Sequence, residues 1–449
     1  MSNKSLTIKE TFVIGLMLFA LFFGAGNLIF PPALGQLSGD HMWTAIIGFL
    51  ITGVGLPLLG VIAIGLSGSD IQSLAGRVHP LFGFFFPFVL YLAIGPIFAI
   101  PRTATVTFEI GVIPYLPESS SGDGWILFLF TLVFFAVTYW LSLNPTKLVD
   151  TIGKLLTPVL LIVLALITVK MLVTPLGTFE SPTKEYENGA FFKGFLEGYL
   201  TMDTLAALVF GIVVINAVKD KGVTDRSQIA KICLNSGLIA AGGLVLVYVS
   251  LAYLGATSVS KIGYLDNGGA ILSESVHYLF GTFGNAVLGT AILFACLTTS
   301  IGLVSSCGNY FSKIFPSLSY KTITFIICLF SMTVANAGLT KLISFSVPVL
   351  VALYPLAIVL IALSFFHSYF KGANEVYLGS LLFTFVISVA DGLKAGGLLP
   401  AGLDAWMKGN VPLFEYGIGF IVPAAVGGIL GYIYSSFRTA SASPDSQRK

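Results

Sequence analysis

Charged side chains are scarce in this chain of 449 residues. Asp, Glu, Lys and Arg together make up 10% of it and hydrophobic residues 56%, whereas a soluble domain usually carries about 25% charged residues. The mean hydropathy is +0.93. This composition excludes an ordinary soluble domain and indicates a polytopic protein of the lipid bilayer. A net charge of +2 without a basic stripe also argues against nucleic acid as a partner.

Cysteine is rare as well. The four cysteines lie in apolar stretches and lack the spacing of a metal site; they are Cys233, Cys296, Cys307 and Cys328. We interpret them as small core residues rather than as disulfide partners or ligands through sulfur.

Sequence motifs of enzymes are missing. The chain contains no H-E-x-x-H, no Walker A sequence and no G-x-S-x-G, the patterns of zinc proteases, phosphate-binding loops and serine hydrolases. Without a nucleotide-binding domain, ATP-driven transport by this chain alone is not expected. The sequence therefore predicts no enzyme and no bound organic cofactor.

Long apolar runs fill most of the chain instead. Because about 20 residues cross a bilayer, we predict an all-α membrane protein with twelve transmembrane helices. The predicted spans 1 to 12 are 10–37, 42–67, 81–110, 124–143, 151–173, 191–217, 229–256, 284–311, 321–337, 341–366, 375–391 and 412–437.

These spans fall into two blocks of similar length. Spans 1 to 5 cover 10–173 and spans 6 to 10 cover 191–366. Because five is an odd number, the second block is inverted relative to the first, a known plan of secondary transporters. Two further helices lie in 375–437, and short terminal segments, 1–9 and 438–449, complete the chain.

Lys and Arg are unevenly shared between the two sets of loops. With the N-terminus inside, the inner loops and termini hold most of these cations, while the outer loops are acidic. By the positive-inside rule, both termini are predicted to be cytoplasmic, in a protein that crosses the cell (plasma) membrane many times.

Span 1 is interrupted at its centre. Gly24, Gly26 and Asn27 are followed by the pair Pro31 and Pro32, although unpaired backbone groups are costly in lipid. A helix broken there offers N–H groups to an anion such as a carboxylate and carbonyl groups, around residues 20–23, to a cation. The alternative is that the glycines serve helix packing and the prolines a kink.

Span 6 contains an ionisable residue within its apolar sequence. Asp203 lies near Thr201 and Thr204, and such a carboxylate is a candidate to bind a cation, a proton or a substrate ammonium group. The alternatives are a position close to the outer interface, or neutralisation by Arg102 for structural reasons. Arg102 and Glu109 lie on one face of span 3. Arg102 either holds a kink or pairs with Asp203, and the alternative for Glu109 is a position at the interface.

Span 8 contains three consecutive hydroxyls, Thr298, Thr299 and Ser300. Alone, they are best explained by bonds between helices or to carbonyls one turn earlier. Beside a broken span 1, the Cys296 carbonyl and these hydroxyls offer the oxygen ligands that Na⁺ prefers.

Two long motifs carry a family resemblance. The sequence from Phe22 to Pro32 resembles the signature of the branched-chain amino acid:cation symporters of bacteria, and the sequence from Glu197 to Gly211 is similar to that family's sixth helix. The family is related to the amino acid–polyamine–organocation group. The resemblance implies a 5+5 inverted-repeat fold with broken helices 1 and 6, plus two C-terminal helices.

The resemblance also implies symport of leucine, isoleucine or valine with Na⁺ or, in some members, H⁺. Carried over by position, Gly24, Ala25 and Gly26 meet the substrate carboxylate. The segment from Thr201 through Met202 to Asp203 lies beside its ammonium group or an ion. A proton-coupled permease for another small apolar amino acid is the alternative, and a membrane sensor or channel is a more distant one.

A weaker analogy concerns the coupling ion. The Gly-x-Gly-Asn unit is similar to that of neurotransmitter:sodium symporters, which implies that Asn27 serves an ion near the substrate. A second cation site between spans 1 and 8 is implied for the carbonyls of Ala20, Phe23 and Cys296 with the hydroxyls of Thr299 and Ser300. The oligomeric state and the role of the last two helices stay open.

Overall fold

The computed structural model describes residues 6–67, 70–117, 124–143, 145–223 and 225–441, and this part of the chain contains helices and no strand. The predicted terminal segments fall partly outside it. Of the charged residues behind the predicted orientation, several also lie outside the described residues, namely Lys4, Glu118, Asp123, Arg448 and Lys449.

The helices are numbered in chain order. They are α1 (Ile8–Phe22), α2 (Ala25–Ser38), α3 (Met42–Leu50), α4 (Leu56–Ser67), α5 (Ile71–Gly76), α6 (Pro80–Leu92), α7 (Ala99–Gly111), α8 (Gly124–Ser142), α9 (Pro145–Val173), α10 (Lys184–Glu187), α11 (Ala190–Glu197), α12 (Asp203–Lys219), α13 (Arg226–Ile262), α14 (Gly268–Ile314), α15 (Tyr320–Ala335), α16 (Leu339–Phe366), α17 (Asn374–Ala395), α18 (Ala401–Asn410) and α19 (Ile421–Ser441).

Each predicted span coincides with one helix or with a broken helix. Among the described residues, seven helical stretches are long and apolar enough to cross a membrane, or eight when the bent pair around Met202 counts as one. The number twelve therefore stays a prediction. The largest boundary differences are at α14, which begins at Gly268 and bends at Gly281, and at α19, which begins only at Ile421.

The break in span 1 lies between α1 and α2. Phe23 (φ −72°, ψ 95°) and Gly24 (φ −125°, ψ −166°) are extended, so the chain leaves the first helix and starts the second within two residues. Pro31 and Pro32 lie inside α2. The break therefore precedes the prolines and coincides with the Gly-x-Gly-Asn sequence.

The break in span 6 has a different geometry. After α11, the chain makes a 3₁₀ turn over Gly198–Thr201, and Met202 adopts left-handed backbone angles (φ 65°, ψ 10°) before α12 begins. The two halves are bent by 44°. A non-glycine residue in this region is strained, and such strain is commonly kept at functional sites.

Span 3 is kinked, as its prolines predict. A π-helical segment, Ala93–Ile97, separates α6 from α7, and Gly95 inside it has non-helical angles (φ −97°, ψ −119°). Pro96 cannot donate a backbone hydrogen bond, which accounts for the interruption. The kink allows α7, with Arg102, to take its own direction next to the break in span 1.

The two halves of the chain pack reciprocally. The broken span 1, α1 with α2, packs on α13 of span 7, and the broken span 6 packs its α11 on α3 and its α12 on α4 of span 2. The third and eighth spans meet through α7 and α14, and the fourth and ninth through α8 and α15. This exchange of partners is the packing of an inverted repeat.

Glycines allow the broken helices to approach their partners closely. In both reciprocal contacts, each helix contributes a glycine whose position leaves no room for a Cβ against a backbone carbonyl of the other helix. The pairs are Gly35 with Ala252, Gly255 with Pro32, Gly48 with Phe191 and Gly194 with Ala45. Small residues at helix interfaces are typical of membrane proteins.

Candidate functional site

The two helix breaks meet at the side chain of Asn27. Its Oδ1 accepts a hydrogen bond from the backbone N–H of Gly24 (2.8 Å), which caps the start of α2. Its Nδ2 donates to Oδ2 of Asp203 (2.7 Å) and to the hydroxyl of Tyr248. One amide thus fixes the backbone of the first break and holds the carboxylate of the second.

Asp203 is buried in a set of hydrogen bonds. Besides Asn27, the hydroxyl of Tyr248 on α13 donates to its Oδ2 (2.8 Å). Its backbone N–H donates to Oγ1 of Thr201 (3.3 Å), which in turn donates to the carbonyl of Gly198 (2.9 Å). Only 2% of Asp203 is exposed, so it lies in the interior and not at an outer interface.

A cavity lies between the two breaks. Eight of its lining residues are predicted site residues or their direct neighbours, namely Gly24, Ala25, Gly26, Asn27, Thr201, Met202, Asp203 and Thr299. The other walls are Arg102 and Thr103 with apolar side chains such as Phe22, Ile94, Phe210 and Leu303. The structure therefore brings together all six residues that the sequence predicts around the substrate.

The cavity is small in this conformation. Its volume is about 40 Å³, whereas pockets that hold small molecules usually measure about 300–1,000 Å³. An amino acid the size of leucine thus requires the lining side chains or the helix halves to move apart. Broken helices in a rocking transporter provide such movement.

Arg102 does not pair with Asp203. The structure has no ion pair between them, so the direct pairing considered from the sequence is absent from this conformation. Arg102 instead donates from Nη1 to the carbonyl of Leu200 in the second break (2.6 Å) and from Nη2 to Oγ of Ser346 (3.3 Å). Its guanidinium carbon lies 4.9 Å from the ring centre of Phe30 on α2.

The hydroxyls of span 8 behave differently from one another. Thr298 and Thr299 both donate to the carbonyl of Ala295 (2.9 and 3.0 Å), which is the bonding to an earlier turn expected without an ion. Ser300 is fully buried and its Oγ has no hydrogen-bond partner. The methyl group of Thr299 lies 3.3 Å from the position of a Cβ on Gly24, so α14 does adjoin the first break.

Three further residues are predicted to bind the ion, and each is near Gly24 or Thr299 in the sequence. Ala20 is on the last turn of α1 and Phe23 is the first extended residue of the break, while Cys296 is buried one turn before Thr299. None of these three side chains lines the cavity. Their proposed role concerns backbone carbonyls, and it stays a prediction.

Two functional contacts were missed in the sequence. Tyr248 and Ser346 lie in apolar helices, α13 and α16, far along the chain from the residues that they bind. The one signal in the sequence is a hydroxyl-bearing side chain within a predicted transmembrane span. Glu109 does not line the central cavity. It accepts a hydrogen bond from the Asn267 amide (3.0 Å) and lines a second cavity of about 290 Å³ together with Lys341.

Residues 7–438 match the family of proteins described as "Branched-chain amino acid transport protein". The chain belongs to this family. The permease BraB of Bacillus subtilis is 55% identical over 97% of both chains, and the permease BrnQ of Escherichia coli is 42% identical over 96% of this chain and 97% of its own. The resemblance seen in the two motifs is thereby confirmed, and the chain is a multi-pass membrane transporter rather than an enzyme.

Solved structures share the fold at low sequence identity. The closed, bromovinylhydantoin-bound form of Mhp1, a nucleobase-cation-symport-1 family transporter, matches with a TM-score of 0.62 at 14% identity, over 98% of this chain and 96% of that one. MhsT in complex with L-phenylalanine matches with a TM-score of 0.55 at 14% identity, over 96% and 99%. These similarities show the fold and no more.

Proposed function

We propose that this protein imports leucine, isoleucine and valine across the cell membrane by symport with Na⁺. The observation that carries the proposal is the meeting of two broken helices at one cavity, with the start of α2 on one side and Asp203 on the other. The names of the relatives, all branched-chain amino acid permeases or carriers, support the substrate class.

The two polar ends of an amino acid have matching groups in the cavity. Its carboxylate faces Gly24, Ala25 and Gly26 at the start of α2, where the positive end of the helix dipole lies; the Gly24 N–H itself already donates to Asn27. Its ammonium group faces Asp203 and the oxygens of the second break, Thr201 and Met202. The apolar side chain lies against the hydrophobic walls, so discrimination among leucine, isoleucine and valine is modest, because one methylene is worth only about 1–3 kcal/mol.

The Na⁺ site is proposed between the end of α1 and α14. The carbonyls of Ala20, Phe23 and Cys296 and the hydroxyls of Thr299 and Ser300 provide the oxygen ligands. Support comes from the buried, unpartnered hydroxyl of Ser300 and from the contact of Thr299 with the first break. Asn27 is proposed as a ligand near the substrate through the second lone pair of Oδ1, since the first accepts the Gly24 N–H.

Transport follows by alternating access, in which the broken helices rock against the helices that they contact. The charge distribution predicts that both termini are cytoplasmic. A Na⁺ gradient directed into the cell drives the amino acid in the same direction. A proton-coupled permease for another small apolar amino acid is the second candidate, because Asp203 offers a buried carboxylate beside the site.

The proposal is tested by uptake of labelled leucine into vesicles that contain the purified protein. We expect accumulation with an inward Na⁺ gradient and none after the gradient is collapsed, with isoleucine and valine competing. Accumulation of leucine driven by a pH gradient alone contradicts Na⁺ as the coupling ion and assigns H⁺ to that role. Failure of leucine to accumulate with either gradient contradicts symport of branched-chain amino acids.

Removing both hydroxyls of span 8 tests the ion site. In the double variant Thr299→Ala with Ser300→Ala, the Na⁺ concentration for half-maximal uptake is expected to rise about 10–100-fold, because contacts to a charged group are worth roughly 1.5–3 kcal/mol. The amount of folded protein is expected to stay unchanged. Thr298→Ala is the matched control, since that hydroxyl lies one residue away and donates to the same Ala295 carbonyl. Na⁺ dependence equal to that of the control removes span 8 from the ion site.

A further inference from the structure

Arg102 is a buried cation without a carboxylate partner. Only 1% of the residue is exposed, and the ion pairs found among the described residues do not include it. Its acceptors are the neutral Leu200 carbonyl and the Ser346 hydroxyl, and its Nε has no hydrogen-bond partner. Because arginine stays protonated in proteins, a full positive charge remains in the interior without a carboxylate in contact with it, and Asp203 attracts it only across the cavity.

Such an arrangement is unfavourable unless an anion joins it. A buried charge is costly when it is neither paired nor fully hydrogen-bonded. The stacking of Arg102 over the Phe30 ring at 4.9 Å compensates part of this cost. A neutral carbonyl and a hydroxyl satisfy some of its N–H groups but not its charge.

The guanidinium lies where the substrate site is. Arg102 lines the central cavity together with Gly24, Ala25 and Gly26. Its Nη1 is 3.2 Å from the position that a Cβ on Gly26 would occupy, so the guanidinium and the N-terminus of α2 adjoin the same space. Both groups attract an anion.

The same cavity contains one acid. Asp203 lines it as well, and two donors, Asn27 and Tyr248, hold its Oδ2. Arg102 and Asp203 do not neutralise each other by direct contact. The cavity therefore presents one positive and one negative side chain at separate places, between walls that are otherwise mostly apolar.

We infer that Arg102 is the binding residue for the carboxylate of the amino acid, while Asp203 takes its ammonium group. The inference rests on the proposed function and deepens it, since it makes recognition depend on a zwitterion. The planar guanidinium offers two parallel N–H groups to a carboxylate. Binding thus supplies the directly contacting anion that Arg102 lacks in this structure.

The experiment measures equilibrium binding to the purified full-length protein. The ligands are L-leucine, 3-methylbutylamine, which lacks the carboxylate, and 4-methylpentanoate, which lacks the ammonium group. The wild type is expected to bind leucine far more tightly than either analogue. In Arg102→Gln, leucine affinity is expected to fall about 30-fold or more, the usual range for removing one partner of a buried charged contact.

The decisive readout is the preference between ligands. In Arg102→Gln, the preference for leucine over 3-methylbutylamine is expected to fall about 30-fold, because only the start of α2 still meets the carboxylate. Arg102→Lys retains part of the preference. Ser346→Ala, which removes only the neutral partner of Nη2, is expected to keep it, and Arg438→Gln is the control for loss of an exposed arginine. Undiminished preference for leucine over the amine in Arg102→Gln overturns the inference.

The following results distinguish failure of the role of Arg102 from failure of the proposed function. If the Arg102 variants do not fold, Gly26→Ala places a methyl group 3.2 Å from Nη1 and 3.3 Å from the backbone of Thr201. It is expected to weaken the binding of leucine more than that of 3-methylbutylamine, and a larger loss for the amine overturns the inference. Failure of the wild type to bind leucine, isoleucine or valine contradicts the proposed function itself. If the wild type binds leucine and the Arg102 variants bind it equally well, only the role of Arg102 is contradicted.

Discussion

Asp203→Asn is expected to lower leucine uptake about 30-fold or more, because removing one partner of a buried, hydrogen-bonded charge contact costs about 2–5 kcal/mol. The carboxylate accepts from Asn27 (2.7 Å) and Tyr248 (2.8 Å) through the same oxygen. Asparagine has almost the same shape, so the fold is retained, but it no longer carries a charge for the substrate ammonium group or an ion. Initial rates of labelled leucine uptake in vesicles, measured over a range of pH, provide the test.

Tyr248→Phe is the matched control for Asp203. It removes one of the two donors to Oδ2 and leaves the charge in place, so we expect a loss of about tenfold, in line with roughly 1.5 kcal/mol for a bond to a charged group. The essential result is that Asp203→Asn loses more uptake than Tyr248→Phe. Kinetics of Asp203→Asn that match the wild type at every pH assign Asp203 a structural role only.

Gly255→Ala is expected to prevent close packing of span 7 against span 1. A Cβ on Gly255 would overlap the carbonyl oxygen of Pro32 on α2, and backbone cannot rotate away as a side chain does. Overpacking of this kind costs about 1–3 kcal/mol or more. The variant should yield less folded protein and unfold at a lower temperature, measured by thermal denaturation in detergent.

The same helix provides the control for this glycine. Gly242 is also on α13, but a Cβ added there has no atom within 4 Å. Gly242→Ala is expected to be neutral or slightly stabilising, because alanine is the better helix former. Equal thermal stability of the two variants would show that α13 does not approach α2 as closely as the contact between Gly255 and Pro32 requires.

Local chemistry explains what the sequence could predict. Glycine, asparagine and tandem proline contradict a lipid-facing helix, so the break around Gly24 was visible without coordinates. The family resemblance implies the second break, but the sequence does not indicate that Met202 takes the left-handed backbone angle. The length of the apolar runs likewise predicts the positions of the helices but not their ends, since α14 begins at Gly268, ahead of the apolar run that predicts it.

Contacts between distant spans explain what the sequence could not predict. Opposite charges on spans 3 and 6 suggested that Arg102 pairs with Asp203, but Leu200 and Ser346 take the guanidinium and Tyr248 takes the carboxylate. Nothing local to Tyr248 distinguishes it from other aromatic residues in apolar helices. Partner choice of this kind is decided by the arrangement of helices, which a single sequence does not reveal.

The balance of charge at the cavity has an electrical consequence. The formal charges of Arg102 and Asp203 cancel, and a zwitterionic amino acid adds none. A membrane potential, worth about 2.3 kcal/mol per elementary charge per 100 mV, therefore acts on the coupling ion alone in the proposed cycle. The electric charge that crosses the membrane with each leucine then equals the number of ions carried, so a current recorded together with labelled uptake gives the stoichiometry directly.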